Sequence, residues 1–322
     1  MSAAACAMPK DNRGTISLGE QMYLGLLRAQ NADGGWGYQL GSSSRAEPSS
    51  WALLALGECQ TAELSEVVRR GCEWLRQTQL SDGAWPAVLG QKQGCWVTAL
   101  ACLALQRVER SSTAALRGLN WLCRQWPGEG GLWWRVSGLL GRRKRGKVTT
   151  QNDRYRGWSW TPGTASWVEP TAYSLILLRN TPRHLWPKVA PKRQRLGRAM
   201  LYDRMCPGGG WNAGNPVVYG VVGEPLVIPT SCALLALRDE GDCPQIGQSL
   251  DWLEASLNLS VGSASVALAH MCLQSYGRRM PPLEPRIREM RARNGCLENV
   301  PAMSWVALAL GPVPHWLGRG QE

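Results

Sequence analysis

The chain has 322 residues, 44% apolar and 19% charged, a balance that supports a sizeable core and excludes a disordered segment. Its 36 Lys and Arg against 24 Asp and Glu leave a formal net charge of +12. That charge admits an anionic partner (a membrane surface, a phosphate ester or nucleic acid), and it equally serves solubility. No apolar run reaches the roughly 18 residues of a membrane span, so no transmembrane helix is expected.

The first segment, "MSAAACAMPKDNRG", has neither a basic start nor a long apolar stretch, so residues 1–16 read as a flexible tail and not a secretory signal. A helical period then runs through "SLGEQMYLGLLRAQ". It ends in "QNADGGW", Gln30 to Trp36, and a Gly- and Ser-rich loop leads into the apolar "SSWALLALGEC". The pattern returns along the chain. "SEVVRRGCEWLRQTQ" ends in "QLSDGAW", Gln79 to Trp85, and is followed by "CWVTALACLALQRV". "STAALRGLNWLCRQW" runs into "QWPGEGGLWW", a stretched copy, and then "PTAYSLILLRN". "RQRLGRAMLYDRM" leads through "MCPGGGW", with Trp211, to "PTSCALLALRDE". "QSLDWLEASLNL" precedes "SASVALAHMCLQSYG". "LEPRIREMRARN", with the outline copy "RARNGCL", precedes "PAMSWVALALG".

These are six helical hairpins, and internal repetition of this kind fixes the fold class. The first helix of each pair is amphipathic and charged. The second is apolar nearly all round and belongs inside a protein. The expected fold is all-α, an (α/α)6 toroid with an inner and an outer ring, in one domain over residues 17–317. An open solenoid is the alternative, but it needs polar capping repeats at its ends. The last inner helix, "WVALALG", is as apolar as the middle ones, which favours closure. Residues 318–322 form a short tail.

The Gln-x-x-x-Gly-x-Trp repeats resemble the QW motifs of the squalene–hopene cyclase and oxidosqualene cyclase superfamily. From Ser17 to Leu317 the chain resembles one α/α toroid of that type, related also to protein prenyltransferase β-subunits. The resemblance implies structural roles for Gln30, Trp36, Gln79, Trp85 and Trp211, each Gln bonding to the start of a neighbouring helix. Glycine supplies the tight reversal, and Asp33 and Asp82 can close it through their side chains. The triterpene cyclases have two such barrels, whereas this chain has room for one.

The resemblance also implies where an acid would sit. Class II terpene cyclases protonate an alkene with the middle Asp of a DxDD motif that opens an inner helix. This sequence has no DxDD. "WVEPTA", Trp167 to Ala172, stands in its place, with Glu169 at the position of the proton donor. A related "EPSS" puts Glu47 at the first inner helix. Because Pro170 suits the first helical position, Glu169 is expected at or near the N-cap, where the helix dipole lowers a carboxyl's pKa. Glu169 is thus the catalytic candidate, with a capping or ligand-binding role as the competing reading.

The densest stretch, "GWSWTPGTASWVEPT", offers Trp158, Trp160 and Trp167 as cavity or mouth residues. The long loop "GGGWNAGNPVVYGVVGEPLVIPT" adds Asn212, Tyr219 and Glu224, and His270 lies on an inner helix. The prenyltransferase relation implies a zinc held by Asp, Cys and His. Asp203, Cys206 and His270 stand in no matching frame, so neither metal nor cofactor is expected. The cysteines form no paired CxxC sets, and several lie in apolar helices, which fits a reducing, cytoplasmic setting.

A basic insertion over about 138–157 carries Arg142 to Lys147. It is the candidate contact for an anionic membrane surface or a phosphate, and would place the protein peripherally at a membrane. No nucleic-acid module accompanies it, so nucleic acid is not expected. Three functions follow as expectations. One is a noncanonical terpene-cyclase-like enzyme acting on an isoprenoid or other hydrophobic molecule, with or without a phosphate, in a central cavity. Another is a non-catalytic toroid that binds a hydrophobic ligand, peptide or protein. The third is an α/α-toroid enzyme acting on polysaccharide.

Overall fold

A helix that is apolar on every side must be surrounded by protein. The computed structural model, which describes residues 16–57, 62–129, 149–241, 243–257, 262–294 and 299–317, meets that demand with two rings. The two expected tails, apart from Ile16, and the basic run from Arg142 to Lys147 lie outside the described residues. In chain order the helices are α1 (Leu18–Arg28), α2 (Ala46–Leu56), α3 (Ala62–Gln77), α4 (Val97–Val108), α5 (Thr113–Arg124) and α6 (Val168–Asn180). They continue with α7 (Ala190–Asp203), α8 (Val227–Ala236), α9 (Pro244–Ser256), α10 (Ser263–Ser275), α11 (Leu283–Asn294) and α12 (Val300–Leu310). The even-numbered helices are buried over nearly their whole length.

Each even-numbered helix packs against the next, and α12 packs back onto α2, so the inner ring is closed. The odd-numbered helices lie outside it, α1 against α12 and α2, α3 against α2 and α4, and so on around. Capping fits this order. Ser17 accepts from the Glu20 amide at 3.2 Å to start α1, and Asn299 does the same for Ala302 at 3.2 Å to start α12. The only strands among the described residues form a two-residue hairpin, Val217–Val218 with Val221–Val222.

The repeat motif builds the joints. Gln30 Nε2 donates to Gly34 O and to Val67 O on α3, both at 2.9 Å. Gln79 Nε2 donates to Gly83 O and to Ala114 O on α5, both at 2.8 Å. The indole N–H groups of Trp36, Trp85 and Trp211 reach back to Leu26 O (2.8 Å), Leu75 O (2.7 Å) and Leu201 O (2.6 Å), near the ends of the preceding outer helices. Asp33 and Asp82 each close a turn and accept the indole N–H of the next outer helix, Trp74 at 3.0 Å and Trp121 at 2.9 Å.

A second strap belongs to the inner helices. Hydroxyls of Ser49, Thr98, Thr171 and Thr230 accept the backbone N–H of Trp36, Trp85, Trp158 and Trp211 at 2.8, 3.0, 2.9 and 2.9 Å. The same hydroxyls donate back to those tryptophans' carbonyls. Trp158 therefore holds the third joint. Its indole donates to Leu122 O at 2.9 Å and its side chain is buried, so it does not stand at the mouth as the sequence reading placed it. Glycines on the following outer helices make room. A Cβ at Gly71, Gly118 or Gly197 would come within 2.6, 2.9 and 2.8 Å of the rings of Trp36, Trp85 and Trp158.

Replacing Thr98 with Val keeps the shape and removes the strap, leaving the Trp85 amide buried without an acceptor. The expected cost is about 1–3 kcal/mol. Urea unfolding should show a lower midpoint with an unchanged slope. An unchanged midpoint would mean that the strap contributes nothing.

Candidate functional site

The outer helices end, and the inner helices that follow them begin, at the same end of the ring. Two of those helices open with the same sequence pattern: Glu47–Pro48–Ser49 on α2 and Glu169–Pro170–Thr171 on α6. In each the hydroxyl straps a joint tryptophan. That fixes the register of both helices and sets Glu47 and Glu169 at equivalent depths in their first turns. An aromatic residue follows four positions later in each, one turn further into the ring: Trp51 and Tyr173.

Those aromatics meet across the axis. Helices α2 and α6 are separated by α4, yet the rings of Trp51 and Tyr173 lie 5.8 Å apart at 72°. Trp305 of α12 packs edge-on to Trp51 at 5.4 Å, and Trp316 lies 6.4 Å from it. Trp316 comes from the short turn after α12, and Asn180 at the end of α6 holds its carbonyl at 2.9 Å. On the other side, Trp96 stacks on Tyr173 at 5.7 Å and 25°, and Trp160 meets Trp96 edge-on at 4.8 Å. The Trp96 amide bonds to Trp160 O at 3.1 Å, which ties the third connection to the second. The axis is thus filled by an aromatic layer. The indole nitrogens of Trp51, Trp305 and Trp316 are buried without hydrogen-bond acceptors among the described residues.

Burial dominates the electrostatics. It pushes the Glu169 carboxyl up to about 7, and its Oε2 is buried with no hydrogen-bond partner among the described residues. Glu169 lies near the N-cap as expected, but the lowered pKa is corrected by this. Trp167 is the N-cap, its side chain makes no capping bond, and Glu169 lies inside the first turn. A helix dipole is worth about 0.3–1 kcal/mol at an exposed end, and desolvation at this depth outweighs it. Glu47 is also raised by burial, and it accepts a hydrogen bond from the Tyr38 hydroxyl, which opposes the rise. No Lys, Arg or His contributes to either shift. The Tyr173 phenol is raised by its burial, by Cys232 and by both carboxyls. Cys232 Sγ donates to Tyr173 Oη at 3.4 Å.

The other expected residues are placed as follows. Trp160 is half-buried against Trp96, on an open cleft of about 540 Å³ that Lys92, Gln93, Cys95 and Thr161 also line. The Trp167 ring lies over Gly214, where a Cβ would come 3.0 Å from it. Asn212 is spent on its own turn, accepting from Gly214 N at 3.0 Å and donating to Asn215 O at 2.9 Å. Tyr219 stands 73% exposed at the tip of the two-residue hairpin, and Glu224 is exposed on the way back to α8. His270 is half-buried on α10, where burial lowers its pKa. No three His, Cys, Asp or Glu side chains converge among the described residues. No helix there is long and apolar enough to cross a membrane.

Sequence reasoning missed Tyr38, Trp51, Trp96, Tyr173, Trp305 and Trp316. Trp51, Tyr173 and Trp96 had a signal: a large aromatic one helical turn after each Glu–Pro pair, and Trp96 two residues before the strap hydroxyl Thr98, where Glu47 and Glu169 stand in their own helices.

The fold is an (α/α)6 toroid, which solved type II terpene cyclases share. No family model matches the chain, and no curated protein matches it. Among solved structures, a protein from Actinoplanes is similar at 16% identity and a TM-score of 0.57, over 91% of this chain and 97% of that one. A variant of the type II terpene cyclase MstE from Scytonema, in complex with the substrate geranylgeranyl dihydroxybenzoate, is similar at 14% identity and a TM-score of 0.56, covering 91% and 95%. An inactive α-1,6-mannanase of Salegentibacter, in complex with α-1,6-mannotriose, is similar at 8% identity and a TM-score of 0.56, covering 91% and 98%. At these identities the likeness establishes the fold, which hosts different chemistries.

The raised Glu169 pKa has a consequence for stability. A carboxyl that binds its proton more tightly when folded stabilises the fold fully below its unfolded pKa and loses that contribution as pH climbs through the folded value. Relative to Glu169→Gln, the native protein should therefore lose about 3 kcal/mol between the ordinary carboxyl range and beyond the folded pKa of about 7. Urea midpoints measured against pH for both proteins test this, and parallel profiles would contradict it.

Proposed function

We propose that the chain is a terpene-cyclase-like enzyme that takes an oxygen-bearing isoprenoid, or a comparably hydrophobic molecule, at the mouth where the inner helices begin. Glu169 is its acid. The observation that supports this reading is the half-buried carboxyl whose buried Oε2 has neither a hydrogen-bond partner nor a neutralising cation among the described residues, next to Tyr173 and the aromatic layer.

An acid titrating at about 7 is still substantially protonated at neutral pH. Such an acid suits general acid catalysis toward an oxygen, such as an epoxide, because the best catalytic pKa lies near the operating pH. Protonating an unactivated alkene needs a stronger acid, so the loss of the DxDD pair and the raised Glu169 pKa argue for the same substrate class. As the carbon–oxygen bond breaks, positive charge develops on carbon. The faces of Trp96, Trp51 and Tyr173 are the groups that would stabilise it. The Glu169 carboxylate left behind can then take a proton from the product.

One observation favours a second reading. Trp51 is in ring contact with Tyr173, Trp305 and Trp316, so the axis below the mouth is already occupied. A toroid filled in this way suits a shallow binding site and a non-catalytic carrier.

Incubation with epoxidised and unepoxidised geranylgeranyl compounds, with products followed by mass spectrometry, separates the two. The enzyme reading expects cyclised product from the epoxide only, with the rate lowered about 10²-fold or more in Glu169→Gln and the affinity little changed. Bound isoprenoid recovered unaltered from both proteins would establish the carrier. Product formation indifferent to the substitution would remove Glu169 from the mechanism.

A further inference from the structure

The two carboxyls at the mouth are related by the fold and separated by their partners. Glu47 and Glu169 occupy the same position in α2 and α6, two residues before a strap hydroxyl. Helix α4 lies between those helices, so the two side chains approach the axis from different sides, with Trp96 at the start of α4. After burial and Cys232, both carboxyls raise the pKa of the Tyr173 phenol, so both stand within electrostatic reach of one hydroxyl.

They differ in what holds them. Burial raises the Glu47 pKa, and the hydrogen bond that Glu47 accepts from the Tyr38 hydroxyl opposes that rise by favouring the carboxylate. Glu169 Oε2 is buried with no hydrogen-bond partner among the described residues, and burial favours the neutral acid. Paired carboxyls whose settings differ in this way divide into a general acid and a general base.

Water reaches this mouth from the side. Both carboxyls are half-buried. The open cleft of about 540 Å³ has a polar outer wall of Gln91, Lys92, Gln93 and Thr161, and Cys95 and Trp96 line it as well. Glu47 adds to the rise that burial gives the Cys95 thiol, and Trp96 stacks on Tyr173, one turn below Glu169. The cleft therefore leads toward both carboxyls. Beneath them the rings close the axis after one helical turn, about 5–6 Å. A carbon that becomes positive at this height meets the rings from below and the cleft from the side. A site that does not exclude water loses such intermediates to hydrolysis.

We infer that the mouth also catalyses hydration: Glu47 is the general base that directs water from the cleft onto an isoprenoid epoxide whose oxygen Glu169 protonates, giving a vicinal diol. This rests on the reading of Glu169 as an acid toward an epoxide. The Glu169 proton passes to the epoxide oxygen as the bond from that oxygen to the more substituted carbon breaks. The water oxygen forms a new bond to that carbon and gives one proton to the Glu47 carboxylate. One water is consumed, nothing is oxidised or reduced, and exchange with solvent returns both carboxyls to their starting states. Inverting glycosidases divide the same labour between two carboxyls, one protonating the leaving oxygen and one activating water.

The test is incubation of the full chain with epoxidised geranylgeranyl compounds in water enriched in the heavy oxygen isotope, beside a protein-free control. Mass spectrometry is expected to find a diol carrying a single label on the more substituted carbon, formed faster than in the control. Glu47→Gln and Glu169→Gln should each lower diol formation about 10²-fold or more. Glu47→Asp, which withdraws the carboxylate by one methylene, should lower it about 10-fold to 10²-fold and serves if Glu47→Gln does not fold. Urea midpoints establish which variants are folded. Cyclised product that depends on Glu169, with no labelled diol above the control, overturns the inference and leaves the proposed function standing. Labelled diol formed at the native rate by the folded Glu47 variants also overturns it, because the water then needs no base. Epoxide recovered unaltered from the native protein overturns both the inference and the reading on which it rests.

Discussion

The strap between an inner-helix hydroxyl and a joint tryptophan is the constraint on which the rest of the molecule depends. One hydroxyl in the first turn of an inner helix holds both the N–H and the C=O of the tryptophan that closes the preceding loop. The indole of the same tryptophan is anchored to the outer helix before that loop. Outer helix, loop and inner helix are thereby locked at one point. The arrangement repeats at Ser49, Thr98, Thr171 and Thr230. Because the strap sits at the start of the inner helix, it sets the height of that helix in the ring. A residue two positions earlier is then delivered to the mouth in each repeat.

Function draws on that delivery. In α2 and α6 the delivered residue is Glu, and in α4 it is Trp96. The aromatics one turn deeper converge across the axis, so the carboxyls stand over a layer of rings and not over open water. Their proton affinity follows from this setting. The helix start favours the carboxylate and desolvation favours the acid, and here desolvation prevails. Among the described residues, no cation contributes to reversing the result.

Much of the fold was legible in the sequence because it rests on local pattern. Helical period, apolar inner helices and the Gln-x-x-x-Gly-x-Trp joints are all properties of short windows, and the closed ring followed from the apolar last helix. The third joint was not legible. Its Gln125 and Trp158 are separated by a long insertion, so "LWW" was read as the copy, and Trp158 was assigned to the mouth. The lowered pKa expected of Glu169 failed for a related reason. Proline marks the first turn of a helix, but only tertiary packing decides whether a first-turn carboxyl is in water or against Tyr173. The aromatic layer was missed because Trp51, Tyr173 and Trp305 are remote in sequence and meet only once the ring is closed.

The account turns on one property, a Glu169 carboxyl at the mouth that holds its proton up to about pH 7. A carbon-NMR titration of the glutamate carboxyl signals, with Glu169→Gln to assign the resonance, measures it directly. The predicted result is a signal that titrates with a midpoint at about 7. A midpoint in the ordinary glutamate range, about 4.3, would contradict both the buried acid and the chemistry built on it.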